Sequence, residues 1–336
     1  MKLLITGASG FLGQYVVVNA LRRGYEVRAV VRPHQDISLL TWSNHDAVEI
    51  VKADLAVAPE LVSTVSGVDC VIHLVASKSS DFVKACKGTV LTTQNLLKAM
   101  ECAQVMRLIS ISSFSVYDYS QVSDGNTLDE SCPIETSPST RDAYAQTKLM
   151  QEQLVREFAS LPHSAVTILR PGMIYGREVL WNACHGAGFG PLWLLIGASG
   201  IMPVTYVENC ADAIVTAVEA KAAVDTTLNI VDDELPTRKN YTDILVKHSP
   251  NPPQIVPVNW LLLRGIAQVF WFVNQRVLGG MLKLPGLLIP PRLDARLKPM
   301  TYSNQKAKEI LNWHPPYSWQ DTLERIWNHE MELISV

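Results

Sequence analysis

The sequence contains no C-x-x-C pair, no H-E-x-x-H, no block of like charges, no internal repeat and no low-complexity tract. Its six cysteines (Cys70, Cys86, Cys102, Cys132, Cys184 and Cys210) are scattered. That spacing argues against a zinc site or a disulfide framework and suits reduced thiols in a cytoplasmic setting, so no metal is expected. A net charge of −3 over 336 residues lacks the basic excess that a nucleic-acid binder needs to meet phosphates. After Lys2 the first apolar run lasts three residues before Thr6, with no clear cleavage site behind it; a signal peptide is not expected.

Short Val/Ile/Leu runs alternate with helix-like stretches through the first half. Strands are predicted over 2–6, 26–32, 48–55, 68–76, 107–113 and 165–171, with helices over 11–24, around 83–102 and over 141–159. Near-continuous apolar strands separated by helices predict an α/β fold: a doubly wound parallel sheet covered on both faces. Beyond Pro171 a glycine-rich, bulky segment reads as a substrate-side loop region. Residues 204–220 return to strand then helix, and 227–231 to strand. From about 234 onward, proline, tryptophan and leucine predominate and predict a smaller, mainly helical lobe. The expected division is 1–171 plus 204–232 as a dinucleotide-binding Rossmann unit, and 172–203 plus 233–336 as the substrate lobe.

Residues 255–291 are very apolar, yet fall short of the roughly 20 uninterrupted residues a membrane span needs, because Arg264 and Gln268 interrupt the run at helical spacing. The spacing predicts a buried amphipathic helix lining an apolar cleft. The alternative is a helix lying on a membrane surface.

Behind the first strand stands TGASGFLG, with Gly7, Gly10 and Gly13 every third residue. Strand, glycines and helix in that order form the context of a pyrophosphate cradle. The first gap is one residue longer than in the general dinucleotide fingerprint. About 20 residues on, an acid should close the second strand if a ribose 2′-hydroxyl is bound; the sequence has Arg32 there instead. A guanidinium matches a 2′-phosphate, which favours NADP(H) over NAD(H).

Tyr144 and Lys148 are four residues apart in a predicted helix and share a face. A nearby ammonium favours the phenolate, which makes Tyr144 a candidate acid/base and Lys148 its support. A lone Y-x-x-x-K is common by chance; the serines that end the fifth strand, Ser110, Ser112, Ser113 and Ser115, strengthen it, since parallel sheets bind ligands beyond their carboxyl ends.

TGASGFLG, the Ala53-Asp54-Leu55 triplet, VIHLVA, SISSFSVY, YAQTK and LRPGMIYG, in this order, resemble the extended short-chain dehydrogenase/reductase family, of epimerase/dehydratase type. VTYVENCADAIV and the terminal YSNQKAKEILNWHP look like its later signatures, so the resemblance covers nearly the whole chain. It implies a nicotinamide cofactor and a Ser/Tyr/Lys triad of Ser113, Tyr144 and Lys148. It also implies cofactor contacts from Phe11 and Leu12 with the glycine loop, from Asp54 and Leu55 at the adenine, and from Leu74, Val75 and Ala76. Pro171, Met173 and Ile174 would sit at the nicotinamide. A homodimer is a further implication.

Departures from the family pattern narrow the activity. Thr89 and Thr92 stand where an asparagine and a glycine are usual, and Phe114-Ser115 where dehydratases carry Asp-Glu. The arginine clamp of sugar-nucleotide epimerases is not visible in 203–207. RPGMIYG and the apolar lobe are more similar to the 3β-hydroxysteroid dehydrogenase and dihydroflavonol-reductase-like branches. The expectation is an NAD(P)-dependent oxidoreductase of a secondary alcohol/ketone pair on a largely apolar small molecule. Alternatives are a nucleotide-sugar epimerase and a catalytically silent cofactor-binding sensor or assembly protein.

Overall fold

The computed structural model describes residues 1–57 and 61–327; the last nine positions of the expected substrate lobe, 328–336, lie outside the described residues. β1 (Lys2–Thr6) runs into α1 (Phe11–Arg22), followed by β2 (Glu26–Val31) and β3 (Val48–Lys52). α2 (Leu61–Val65) precedes β4 (Cys70–His73). An unbroken helical run then comprises α3 (Phe82–Cys86), a π turn over Lys87–Leu91, and α4 (Thr92–Cys102). Next come β5 (Arg107–Ile111), the two-residue β6 (Thr127–Leu128), α5 (Ala143–Ala159) and β7 (Ala165–Pro171). Four short strands follow: β8 (Met173–Tyr175), β9 (Gly186–Phe189), β10 (Leu192–Ile196) and β11 (Val204–Tyr206). α6 (Val207–Glu219) leads to β12 (Thr226–Ile230). The remainder is α7 (Arg238–His248), β13 (Gln254–Val258), α8 (Trp260–Arg276), α9 (Pro290–Leu297), β14 (Thr301–Tyr302), α10 (Gln305–Leu311) and α11 (Trp319–Trp327).

Seven strands form one sheet in the order β3-β2-β1-β4-β5-β7-β12, all parallel. Successive side chains point to opposite faces. Leu3 and Ile5 therefore enter the layer built with α1 and α6, while Leu4 enters the layer built with α4 and α5. Both faces are covered, which is why the strands carry unbroken apolar runs. The strand order reverses between β1 and β4, and this opens the crevice at the carboxyl ends where such sheets take ligands.

The structure differs from the sequence-based expectation in three places. Residues 186–196, expected as loop, form an antiparallel hairpin of β9 and β10 that β13 joins in parallel. α10, expected in the substrate lobe, buries Ala307 and Leu311 in the layer of α1 and α6, and Trp313 follows them. α8 buries only Trp260, Ala267 and Asn274 and leaves a second apolar stripe in solvent. No helix among the described residues is long and apolar enough to cross a membrane.

Candidate active site

The glycine loop lies at the strand-order reversal, between the ends of β1 and β4. Gly7 has φ +73°, a left-handed backbone that side chains disfavour, and a Cβ there would stand 3.2 Å from Val75 Cγ2. The loop is thus pressed against Leu74 and Val75, as the motif order requires. At Gly13 a Cβ would come within 2.1 Å of the Gly7 carbonyl, so the start of α1 folds directly over the turn. Gly10 caps α1 without a side-chain bond, and the first intrahelical bond runs from Gln14 N to the Gly10 carbonyl at 3.1 Å. The amides of Phe11, Leu12 and Gly13 consequently point out of the helix end, where its positive pole lies. A tight turn on which the helix start packs with no room for a Cβ at Gly13, with outward N–H groups at the helix end, fits a pyrophosphate.

The other residues expected at a cofactor lie at or just past the carboxyl ends of β1 to β4 and β7. Phe11, Leu12, Met173 and Ile174 pack in one apolar cluster, and a Cβ at Gly176 would meet the Phe11 ring at 3.0 Å. Pro171 ends β7, and the next amide, Gly172 N, bonds to the Ile230 carbonyl at 2.9 Å. Ala76 is half-buried just beyond β4. Asp54 is exposed and accepts the Ala56 amide at 2.9 Å, while Leu55 beneath it is buried. Arg32 is exposed, one residue past β2 and two beyond the Thr6–Val30 register pair. That position is on the rim of the same crevice, and among the described residues it makes no ion pair.

Ser113, Tyr144 and Lys148 come together through two local devices. Asp142 caps α5 by accepting the Ala145 amide at 3.0 Å, which sets the helix start one residue before Tyr144. Buried Arg141 donates to the Tyr117 and Ser115 carbonyls at 3.1 and 2.9 Å, which ties the turn after β5 to that helix start. Ser113 then accepts the Ser115 amide at 3.1 Å, and it stands near enough to Tyr144 to act on its pKa. Burial raises the Tyr144 pKa, with Ser113 opposing and Asp142 adding to the rise. At neutral pH the phenol keeps its proton. Lys148 is turned away, donating to the Ile111 carbonyl at 2.7 Å and to Gln151 Oε1 at 2.8 Å. Burial pushes its pKa down to about 7, with nearby Glu152 opposing.

Lys148 anchors a buried polar chain that sequence reasoning did not assign. Gln151 Nε2 donates to the Val75 carbonyl at 3.1 Å and to Thr93 Oγ1 at 2.9 Å. Thr93 donates to the Thr89 carbonyl at 2.7 Å. His73 Nε2 lies 2.8 Å from Thr93 Oγ1, and its Nδ1 lies 2.8 Å from Thr6 Oγ1. With the Thr93 proton directed at Thr89, we assign the imidazole proton to Nε2, so that Nδ1 accepts from Thr6. Burial, reinforced by the Lys148 charge, holds His73 at about 3 and hence neutral. The chain links the lysine on α5 to the last residue before the glycine loop. Beside it, Glu152 accepts from Ser112 and pairs with buried Arg170. Against the upward pull of burial, the Arg170 bonds hold the Glu152 carboxyl below its usual range. One signal was available: Gln151 and Glu152 fall three and four residues after Lys148, on its helical face.

A model of the NAD dependent epimerase/dehydratase family matches residues 3–230. The 2-alkyl-3-oxoalkanoate reductase of Stenotrophomonas maltophilia is 30% identical over 230 residues, which span 66% of each chain. The sterol-4-alpha-carboxylate 3-dehydrogenase, decarboxylating, of Homo sapiens is 25% identical over 336 residues, covering 96% of this chain and 86% of its own. Among solved structures, UDP-glucuronic acid 4-epimerase from Bacillus cereus in complex with NAD superposes with a TM-score of 0.71. It is 19% identical and covers 99% of this chain and 97% of its own; the likeness is one of fold.

Proposed function

This chain belongs to the NAD dependent epimerase/dehydratase family, and on that premise we propose that it interconverts a secondary alcohol and a ketone on a largely apolar small molecule, with NADP(H) as the favoured cofactor. The observation that carries the reading is that Tyr144, one helical turn from buried Lys148, has Ser113 near enough to act on its pKa. When bound, the nicotinamide ring supplies or takes up the hydride.

The side chains do the rest. Ser113 and Tyr144 present two hydroxyls to one substrate oxygen, which orients and polarises it. Tyr144 Oη, protonated at neutral pH because burial raises its pKa, delivers its proton to a ketone oxygen and regains it from an alcohol. Lys148 uses two of its three N–H groups on Ile111 and Gln151; in the charged form the third is available to the cofactor ribose. The amides of Phe11, Leu12 and Gly13 hold the pyrophosphate, and Arg32 pairs with a 2′-phosphate. The named relatives, a reductase of an alkyl oxoalkanoate and a sterol dehydrogenase, support an apolar body around the reacting carbon.

Net cofactor turnover tests the reading. With sterol-like or long-chain oxo substrates, absorbance should report one NADPH consumed for each ketone reduced. Conversion of nucleotide sugars with no net change in cofactor would assign the site to epimerisation instead. Arg32→Ser should raise KM for NADPH by about tenfold and leave that for NADH nearly unchanged; parallel steady-state kinetics with the two cofactors read the difference.

A further inference from the structure

α8 carries two apolar stripes. Trp260, Leu263, Ala267 and Trp271 repeat at three- and four-residue spacing on the side turned to the protein, where Trp260, Leu263 and Ala267 meet Leu293 and Leu297 of α9. The other stripe is Leu262, Ile266, Val269, Phe270, Val273 and Val277, again at helical spacing, and every member is exposed. Leu262 and Val269 are each 63% exposed, and Met281 in the turn beyond the helix is 82% exposed. A continuous apolar face of this extent in solvent marks an interaction surface.

Charge indicates what covers it. From Ile244 to Leu293 the sequence has no Asp or Glu, while it has Lys247, Arg264, Arg276, Lys283 and Arg292. Arg264 is engaged by Asp124. Arg276 and Lys283 are exposed at the C-terminal end of the apolar stripe and just beyond it. In a two-fold contact between copies of this face, these cations would meet no carboxylate from the same segment. An apolar stripe bordered by cations matches the acyl and headgroup layers of an anionic leaflet. Seventeen residues are too few to span a bilayer, which takes about 20, but they suffice to lie along one.

We propose that α8 and the turn after it dock this protein on the surface of an anionic bilayer. α9 joins the docking helix to the active-site helix: Arg292 donates to the Thr140 carbonyl at 2.9 Å, and Arg296 pairs with Asp142, the cap of α5, at 2.8 Å. The docked face and the Tyr144 end of α5 therefore belong to one packed assembly. That places the site near a leaflet from which an apolar ketone is drawn, a corollary that rests on the function proposed above.

Vesicle flotation tests the docking without reference to activity. The full chain should float with phosphatidylcholine vesicles containing phosphatidylserine, and less as salt is raised. Leu262→Gln/Phe270→Gln should weaken that binding by at least about tenfold with an unchanged melting temperature. Arg276→Gln/Lys283→Gln should weaken binding to the phosphatidylserine vesicles alone. Failure of the full chain to float with either vesicle, or equal flotation by the Leu262/Phe270 variant, overturns the proposal. A solution dimer that the same variant dissociates, with no vesicle binding, also overturns it and assigns the face to a second copy.

Discussion

α1 and α8 are both rich in apolar residues, and they dispose of them in opposite ways. α1 lies on the sheet beside α6 and buries Val16, Val17, Val18, Ala20 and Leu21. α8 packs one narrow seam against α9 and turns a second stripe of six apolar residues to solvent. Apolar periodicity thus establishes that a helix has a face without establishing what meets it. For α1 the partner is supplied by the same chain. For α8 no described residue covers the second stripe, and the net positive charge around it is the ground for the docking proposed above.

The widest separation between the two helices should come from one substitution made in each. Leu21→Ala in α1 is expected to cost about 2–5 kcal/mol of folding stability. Leu262→Ala in α8 should stay within about 0.5 kcal/mol. Denaturant unfolding of the two variants reads the contrast, and equal losses would break it.

A smaller effect sharpens the same contrast for charge. The sheet-forming half closes even over a lysine, since Lys148 is buried with its pKa at about 7 rather than 10.5. Between those values the unfolded chain binds the extra proton, so this group makes folding stability rise as pH climbs from about 7. Relative to Lys148→Met, the wild type should gain stability over that interval and show a flat difference below it.

What was legible in the sequence follows the same division. The parallel sheet could be read because strands buried on both faces must be apolar throughout, and its helices because they repeat every three to four residues. The glycine loop and the Tyr144/Lys148 pair stood out as candidates because their spacing follows a tight approach and a helical turn, whereas Ser113 was singled out from four serines only by the family resemblance. Arg141, Gln151, Thr93 and His73 were not legible. Their bonds join residues as far apart as 76 positions, as between Gln151 and Val75, and a polar side chain on a helix looks the same in sequence whether it meets water or a buried carbonyl. The hairpin at 186–196 escaped notice because β10 pairs with β13, whose first residue, Gln254, lies opposite Leu192. The outward stripe of α8 was read mainly as the lining of a cleft, since periodicity carries no information about which neighbour is present.

The central claim is that Tyr144 moves the proton while other groups hold the cofactor. Its most direct test is Tyr144→Phe, measured two ways: steady-state turnover on a ketone substrate, and NADPH binding by quenching of protein fluorescence. Turnover should fall by at least about a thousandfold, while the dissociation constant changes by no more than about twofold. Wild-type turnover in that variant would contradict the account.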